Sequence, residues 1–560
     1  MPSQPSWPGL YGFHLGAILN QGSTTFRVFA PQAHSVHLEL ISADSLSPGR
    51  YPAVASEYAG CFELTLEGEL EHAVYLWRID DQPSIDPYAT ASLVNAEASV
   101  VHRNAPVPRM PAFEGNPVIY EAHIRDLTIG ADNGIAHKGK FLGLCESGTR
   151  TSSGQITGLD YLRSLGITHV QLLPIYDFGS VDERGDLGWN AQYNWGYDPV
   201  QYNVPEGSYA TDPFDPTSRI DELKTMIRAL HDAGLRVIMD VVYNHVYKVD
   251  ESSLHHTAPG YYFRYRDGHL LNGTGVGNET ASEQPMMRKL IVDSVMYWAE
   301  EYGIDGFRFD LMGIHDVDTM NAVREALDRI DPSILVLGEG WEMGHHPTGV
   351  LGANQRNSHL MPRIFHFNDR FRDAIKGSAL HAHSSGVLSG ARSEPLMRQL
   401  FQELSGRGLQ QSVIYNEAHD NATMFDKFDA TVPGVDPADR EASLARRCML
   451  ATTLQFFAKG IVFIHAGQEM MRTKGGDENS YRSPDSVNAF DYERAARFEQ
   501  YVRRFQRLCT LRQDYDPQRI DAVEITASHM VLNIDGRSLL IDVERLAMID
   551  LEHPDIDVLL

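Results

Sequence analysis

The sequence predicts a multidomain α/β protein: a central (β/α)8 TIM barrel with an N-terminal β-sandwich module and a short C-terminal β-domain. Three observations lead there. At 560 residues the chain exceeds what one hydrophobic core holds. Its first hundred residues alternate short apolar stretches with turn residues, as sandwich strands do. After a proline-rich break the pattern becomes apolar strand, loop and amphipathic helix, repeated eight times.

The sandwich, expected over 1–105, rests on TTFRVFAP (24–31), SVHLELIS (35–42), CFELTLEG (61–68) and AVYLWRID (73–80). NAPVPRMPAFEGNP (104–117) reads as a linker. The barrel, expected over 112–512, takes its strands from VIYEAH (118–123), HVQLLPI (169–175), RVIMDVVY (236–243), IDGFRFDL (304–311), ILVLGEG (334–340), RIFHFND (363–369), SVIYNEAHD (412–420) and IVFIHAG (461–467). Helical periodicity appears between them, as at 222–234 and 288–303. The loop at 246–285 is longer than most connections and is expected to shape a cleft. Alternation at 522–527 and 538–543 gives the C-terminal β-domain, 515–560.

Composition narrows the chemistry. Forty-eight basic residues against 75 acidic ones leave a formal charge of −27, which disfavours nucleic acid and anionic membrane surfaces as partners and suits a neutral substrate. Cys61, Cys145, Cys448 and Cys509 are far apart and make neither a disulfide framework nor a zinc motif. The N-terminus, MPSQPSWPGLYGF, has no basic and apolar signal regions, and no run of 18 apolar residues occurs, so a cytoplasmic location is expected.

Barrel enzymes place their chemistry at the C-terminal ends of strands. Four ends carry clustered polar groups: Asp240, Asn244 and His245 on the third; Arg308 and Asp310 on the fourth; Glu339 and Trp341 on the fifth; His419, Asp420 and Asn421 on the seventh. Carboxylates from adjacent strands meet the needs of glycoside cleavage, which takes one protonated acid and, for retention, a second ionised carboxylate about 5–5.5 Å away. Arg308, two residues before Asp310, shares its face of the strand and favours its charge.

These segments are recognisable. DVVYNH (240–245), GFRFDLMG (306–313), GEGW (338–341) and EAHDN (417–421) resemble the four signature regions of the α-amylase clan of glycoside hydrolases. YNWGYDP (193–199) and RTKGGDENSY (472–481) resemble segments of type I pullulanases, the debranching branch of that clan. YGFHLGA (11–17) with 24–31 is similar to the carbohydrate-binding-module-like sandwich of debranching and branching enzymes. The resemblance implies a hydrolase of α-1,6-glucosidic bonds in pullulan, limit dextrins or glycogen, with Asp310 as nucleophile, Glu339 as acid/base and Asp420 gripping the sugar. It also implies substrate contacts from Tyr197, Asp198, Asp240, His245, Arg308, Trp341, His419, Asn421 and Arg472. No redox or nucleotide cofactor is implied. Asn244 stands where many α-amylases bind calcium, and the oxygen cluster that calcium needs is not readable in sequence.

The same triad serves isoamylase-like and glycogen-debranching hydrolases and glucanotransferases, and a non-catalytic glucan-binding protein is the alternative of another class. The pairs His255/His256 and His345/His346 are read as loop residues rather than metal ligands. Tyr75 and Trp77 are candidate glucan platforms on the first module. Two departures stand out: the C-terminal β-domain is short, and Tyr492 takes the place of a tryptophan usual in pullulanases, a change expected to touch only the distal cleft.

Overall fold

The computed structural model describes residues 12–381 and 383–553. The stretch searched for a targeting signal lies largely outside these residues, as do Ala382 and the last seven residues of the C-terminal β-segment.

Eight parallel strands close into a barrel: β1 (Val118–Ala122), β2 (His169–Leu172), β3 (Arg236–Val241), β4 (Gly306–Phe309), β5 (Leu335–Gly338), β6 (Phe365–Phe367), β7 (Ser412–Ile414) and β8 (Ile461–His465). Every predicted strand is present, each within its predicted segment. They are short, apolar and almost wholly buried because a barrel strand faces packed side chains inside and a helix outside. The amphipathic repeats become helices such as Ser218–Asp232 and Pro285–Glu301. The second begins with proline at its first turn, where the missing N–H has no helical partner to lose. Among the described residues no helix is long and apolar enough to cross a membrane.

Before the barrel, a four-stranded sheet with Gly16–Asn20, Ser23–Phe29 and Cys61–Glu67 faces a second sheet containing Val36–Ser42 and Val74–Ile79. Their shared core places Tyr75 and Trp77 inside, both 0% exposed, with the phenol and indole N–H donating to the same Asp86 oxygen at 2.9 and 3.0 Å. Neither is therefore a glucan platform: strand alternation turned them inward, and buried Asp86 satisfies their polar ends.

The proline-rich stretch runs against the barrel. Val107 N–H donates to Glu301 O at 2.9 Å, and Arg109 reaches the carbonyls of Ala299 and Ile304 at 2.8 and 3.1 Å. The long 246–285 loop turns toward the N-terminal module, where Tyr261 and Tyr262 pack edge-on against Phe29 at 5.0 and 6.2 Å. Aromatic contact with a neighbouring sheet recovers more buried area than exposure at the rim would. At its other end Glu279 of this loop contacts His345, four residues after Trp341, at 3.2 Å.

The chain closes with a four-stranded antiparallel sheet: Ile520–Ile525, His529–Ile534, Arg537–Asp542 and Ala547–Asp550. Its apolar face shares a core with the helices Glu394–Leu404 and Arg440–Phe456.

Candidate active site

Arg308 organises the mouth of the barrel. Its position on β4 leaves it 2% exposed, and its three carboxylate partners come from the end of its own strand and from the two adjacent strands. Nη1 donates to Asp240 Oδ1 and to Asp310 Oδ1, both at 2.9 Å, and Nη2 meets Glu339 Oε1 at 2.8 Å. Two nitrogens of one planar guanidinium thus hold Asp310 and Glu339, limiting their bonded oxygens to at most about 8 Å apart. The spacing required for a retaining pair falls inside that limit.

Asp310 is fixed from a second side. The Asn244 side-chain amide donates to Asp310 Oδ2 and to its carbonyl oxygen, each at 2.8 Å. Asn244, read in sequence as a strand-end polar group and weighed against calcium, is an anchor of this carboxylate. The next residue, Leu311, is left-handed at φ 40°, an uncommon conformation for a branched side chain. It turns the Leu311 N–H onto Glu339 Oε2 at 3.1 Å.

Two glycines leave the fifth strand end room. A Cβ on Gly313 would collide with the Trp341 carbonyl oxygen, and one on Gly340 with the His366 ring. The motifs GFRFDLMG and GEGW therefore pack through their glycines.

Burial drives the Glu339 carboxyl upward, Arg308 draws it back, and the charges of Asp310 and Asp420 lift it again, leaving it at about 7. A carboxylic acid so placed keeps its proton near neutrality. Asp420 stands on the loop after β7 with its side chain 45% exposed, and Asn421 follows it at φ 65°. His419, buried beside them, feels burial against its charge, but Asp420 and Glu121 outweigh this and raise it to about 9.

Arg308, Glu339, Trp341, Asp420 and Asn421 line a cleft of about 1110 Å³. It continues past Phe367 and Tyr415 on the sixth and seventh strands, with Arg372 Nη1 donating to the Tyr415 hydroxyl at 2.7 Å. Sequence reasoning passed over these three; the polar or aromatic ends of RIFHFND and SVIYNEAHD were the signal available. Tyr197 walls the site beside them. Its ring lies parallel to His419 at 5.0 Å, and its hydroxyl donates to Asp240 Oδ2 at 2.7 Å.

Other expected contacts are placed elsewhere. Asp240 is 0% exposed and supports Arg308 and Tyr197 from beneath. His245 has both ring nitrogens engaged, Nδ1 with Asn244 Oδ1 and Nε2 with the Tyr197 carbonyl at 2.8 Å, so it ties the tyrosine loop to β3. Asp198 is half-buried behind that loop, and burial raises its carboxyl. Arg472 does not reach the cleft: it is 5% exposed, pairs with Asp126 at 2.8 Å and donates to the carbonyls of Ala466 and Asn488. Tyr492 is 2% exposed, with its hydroxyl donating to Leu127 O at 2.9 Å, and so belongs to the core rather than the distal cleft.

Among the described residues, Asp177, Glu183 and Glu206 bring carboxylate oxygens together, but Arg219 pairs with Glu183 at 2.7 Å and lies 3.6 Å from Asp177, supplying a cation from the protein itself. His345 contacts Glu279 at 3.2 Å and His346 contacts the Gly313 carbonyl at 2.9 Å.

Comparison with known proteins agrees with this geometry. Residues 144–269 match the family described as alpha amylase, catalytic domain, and residues 11–89 match carbohydrate-binding module 48, the isoamylase N-terminal domain. The chain is 40% identical over 540 residues to the pullulanase of Bacillus subtilis strain 168, covering 93% of this chain and 74% of that protein. The solved pullulanase of Anoxybacillus sp. LM18-11 complexed with maltotetraose superposes with a TM-score of 0.86 at 42% identity, covering 95% of this chain and 80% of that one. The type I pullulanase of B. subtilis complexed with maltose gives 0.87 at 37% identity, covering 95% and 78%.

Proposed function

The chain belongs to the pullulanases of the α-amylase family, and from that premise we propose that it hydrolyses α-1,6 branch links within α-glucans by double displacement. The observation that carries the mechanism is the single guanidinium of Arg308 bound to both Asp310 and Glu339.

In the first step Asp310, oriented by hydrogen bonds from Arg308 and Asn244, attacks the anomeric carbon through a carboxylate oxygen. Glu339 gives its proton to the bridging oxygen, and the leaving chain departs as a neutral alcohol. A glucosyl ester on Asp310 remains. Glu339, now ionised, takes a proton from water as the water attacks the same carbon, and the sugar leaves with retained configuration. Asp420, exposed above the pair, grips the hydroxyls of the sugar being cleaved. Trp341 offers an apolar face to the ring on the leaving side.

The relatives crystallised with maltotetraose and maltose support α-glucan chains as occupants of this cleft. Incubation with pullulan tests the reading: maltotriose as the main product supports it. Panose, no product, or transfer products without new reducing ends would overturn it.

A further inference from the structure

Strand β1 ends in a carboxylate that the double displacement does not use. Glu121 is 0% exposed, and both its oxygens meet His419: Oε2 accepts the His419 backbone N–H and Oε1 accepts from His419 Nδ1, each at 2.7 Å, with Gln171 Nε2 donating to Oε1 more distantly at 3.5 Å. A clamp on amide and ring together fixes the tautomer and the orientation of the imidazole. Nδ1 is then a donor, and the remaining nitrogen, Nε2, faces Asp420 Oδ1 at 3.6 Å. An ionised carboxylate only accepts hydrogen bonds, so a lone pair on Nε2 would confront another lone pair; a proton there makes the contact attractive.

We infer that Glu121 is a positioning residue that keeps His419 an imidazolium, so that Nε2–H is presented as a charged donor to the sugar hydroxyl gripped by Asp420. The inference rests on the reading of Asp420 given above.

The surroundings of His419 agree. Glu121 faces it from β1, Asp420 from its own loop, and Tyr197 lies parallel with its hydroxyl 3.5 Å from Nδ1. Trp195 packs edge-on at 4.7 Å, with Lys474 on the indole at 5.4 Å. Asp240 of β3, Arg308 of β4 and His465 of β8 also act on this group or are acted on by it. Burial opposes the cation, as does Arg308, and the carboxylates of Asp420 and Glu121 prevail. The Glu121 carboxyl is opposed by burial in turn, yet the His419 pair holds it below the ordinary glutamate range.

The test uses the full chain with isotope-labelled histidine, the His419 ring being assigned by its absence from a His419→Gln variant. In the parent the ring stays cationic through pH 8. In Glu121→Gln its titration falls by about 2.5 pH units, to about 6.5, and kcat/KM on pullulan loses about tenfold more at pH 7.5 than at pH 5.5. Glu121→Asp, which keeps the charge, restores the cationic ring and the parent's profile shape. A neutral His419 at pH 7 in the parent overturns the inference. So does a Glu121→Gln variant whose activity falls by one factor at every pH while the ring titrates as before. The ring titration is read without turnover, so failure of the pullulan assignment is distinguishable from failure of this clamp.

Discussion

Replacing Glu339 with glutamine removes the proton carrier and keeps its size, while leaving one acceptor oxygen to serve either Arg308 Nη2 or the Leu311 N–H. In the parent the carboxyl is 8% exposed and raised from 4.5 to about 7. At pH 6 about nine in ten molecules then carry the proton, against about 3% for a glutamate at its ordinary value, a gain of about 30-fold in competent enzyme. Loss of a general acid costs about 10²–10⁴ in rate, or about 3–5 kcal/mol of barrier, when the leaving group is a sugar alkoxide. A maltotriosyl fluoride needs no such proton. Glu339→Gln is therefore expected to lose turnover on pullulan by that factor while releasing a burst of about one fluoride per enzyme before stalling at the second step. The assay is fluoride release beside reducing-end release across pH 5 to 8.5. In the parent the acid form is the active one, so pullulan hydrolysis is present below about 7 and lost as pH rises through it. A Glu339→Gln variant that releases no burst of fluoride, or a parent whose pullulan activity is flat to pH 8.5, would refute the assignment of Glu339 as the acid.

Asp310→Asn is expected to abolish both reactions by at least about four orders of magnitude with maltotetraose binding retained, as read by product release and calorimetry. Gly313→Ala forces the Trp341 backbone aside; a displacement near 1 Å costs about 100-fold in kcat/KM, measurable on pullulan with the fold checked by circular dichroism. Arg472→Ala takes the arginine from buried Asp126, leaving it Tyr193 and His123, and lowers unfolding free energy by about 3 kcal/mol in urea titration, with KM for pullulan unchanged.

The barrel was legible because each of its strands is buried on both faces and so reads as an apolar run, and because polar residues interrupt those runs only where they end. Asp310, Glu339 and Asp420 were legible for the same reason, reinforced by the order of their motifs. The support beneath them was not. Glu121 sits in VIYEAH as one polar letter in an apolar strand, and nothing local says that its partner lies 298 residues on. Asp240 and Arg472 carry the charges expected of substrate contacts, yet each is satisfied inside the protein; burial of a charge depends on which distant groups meet it. The inward turn of Tyr75 and Trp77 was likewise a matter of sheet face, which alternation fixes only once the neighbouring sheet is known.

The charge of Asp310 is one of the influences that lift Glu339. Formation of the glucosyl ester neutralises that charge, so the first half of the reaction lowers the proton affinity of its own proton donor. The group that entered as an acid is then left poised to accept, and hydrolysis of the ester returns both charge and affinity to their starting values. Timing of the role reversal is thereby set by bond making at the neighbouring oxygen, with no moving part required.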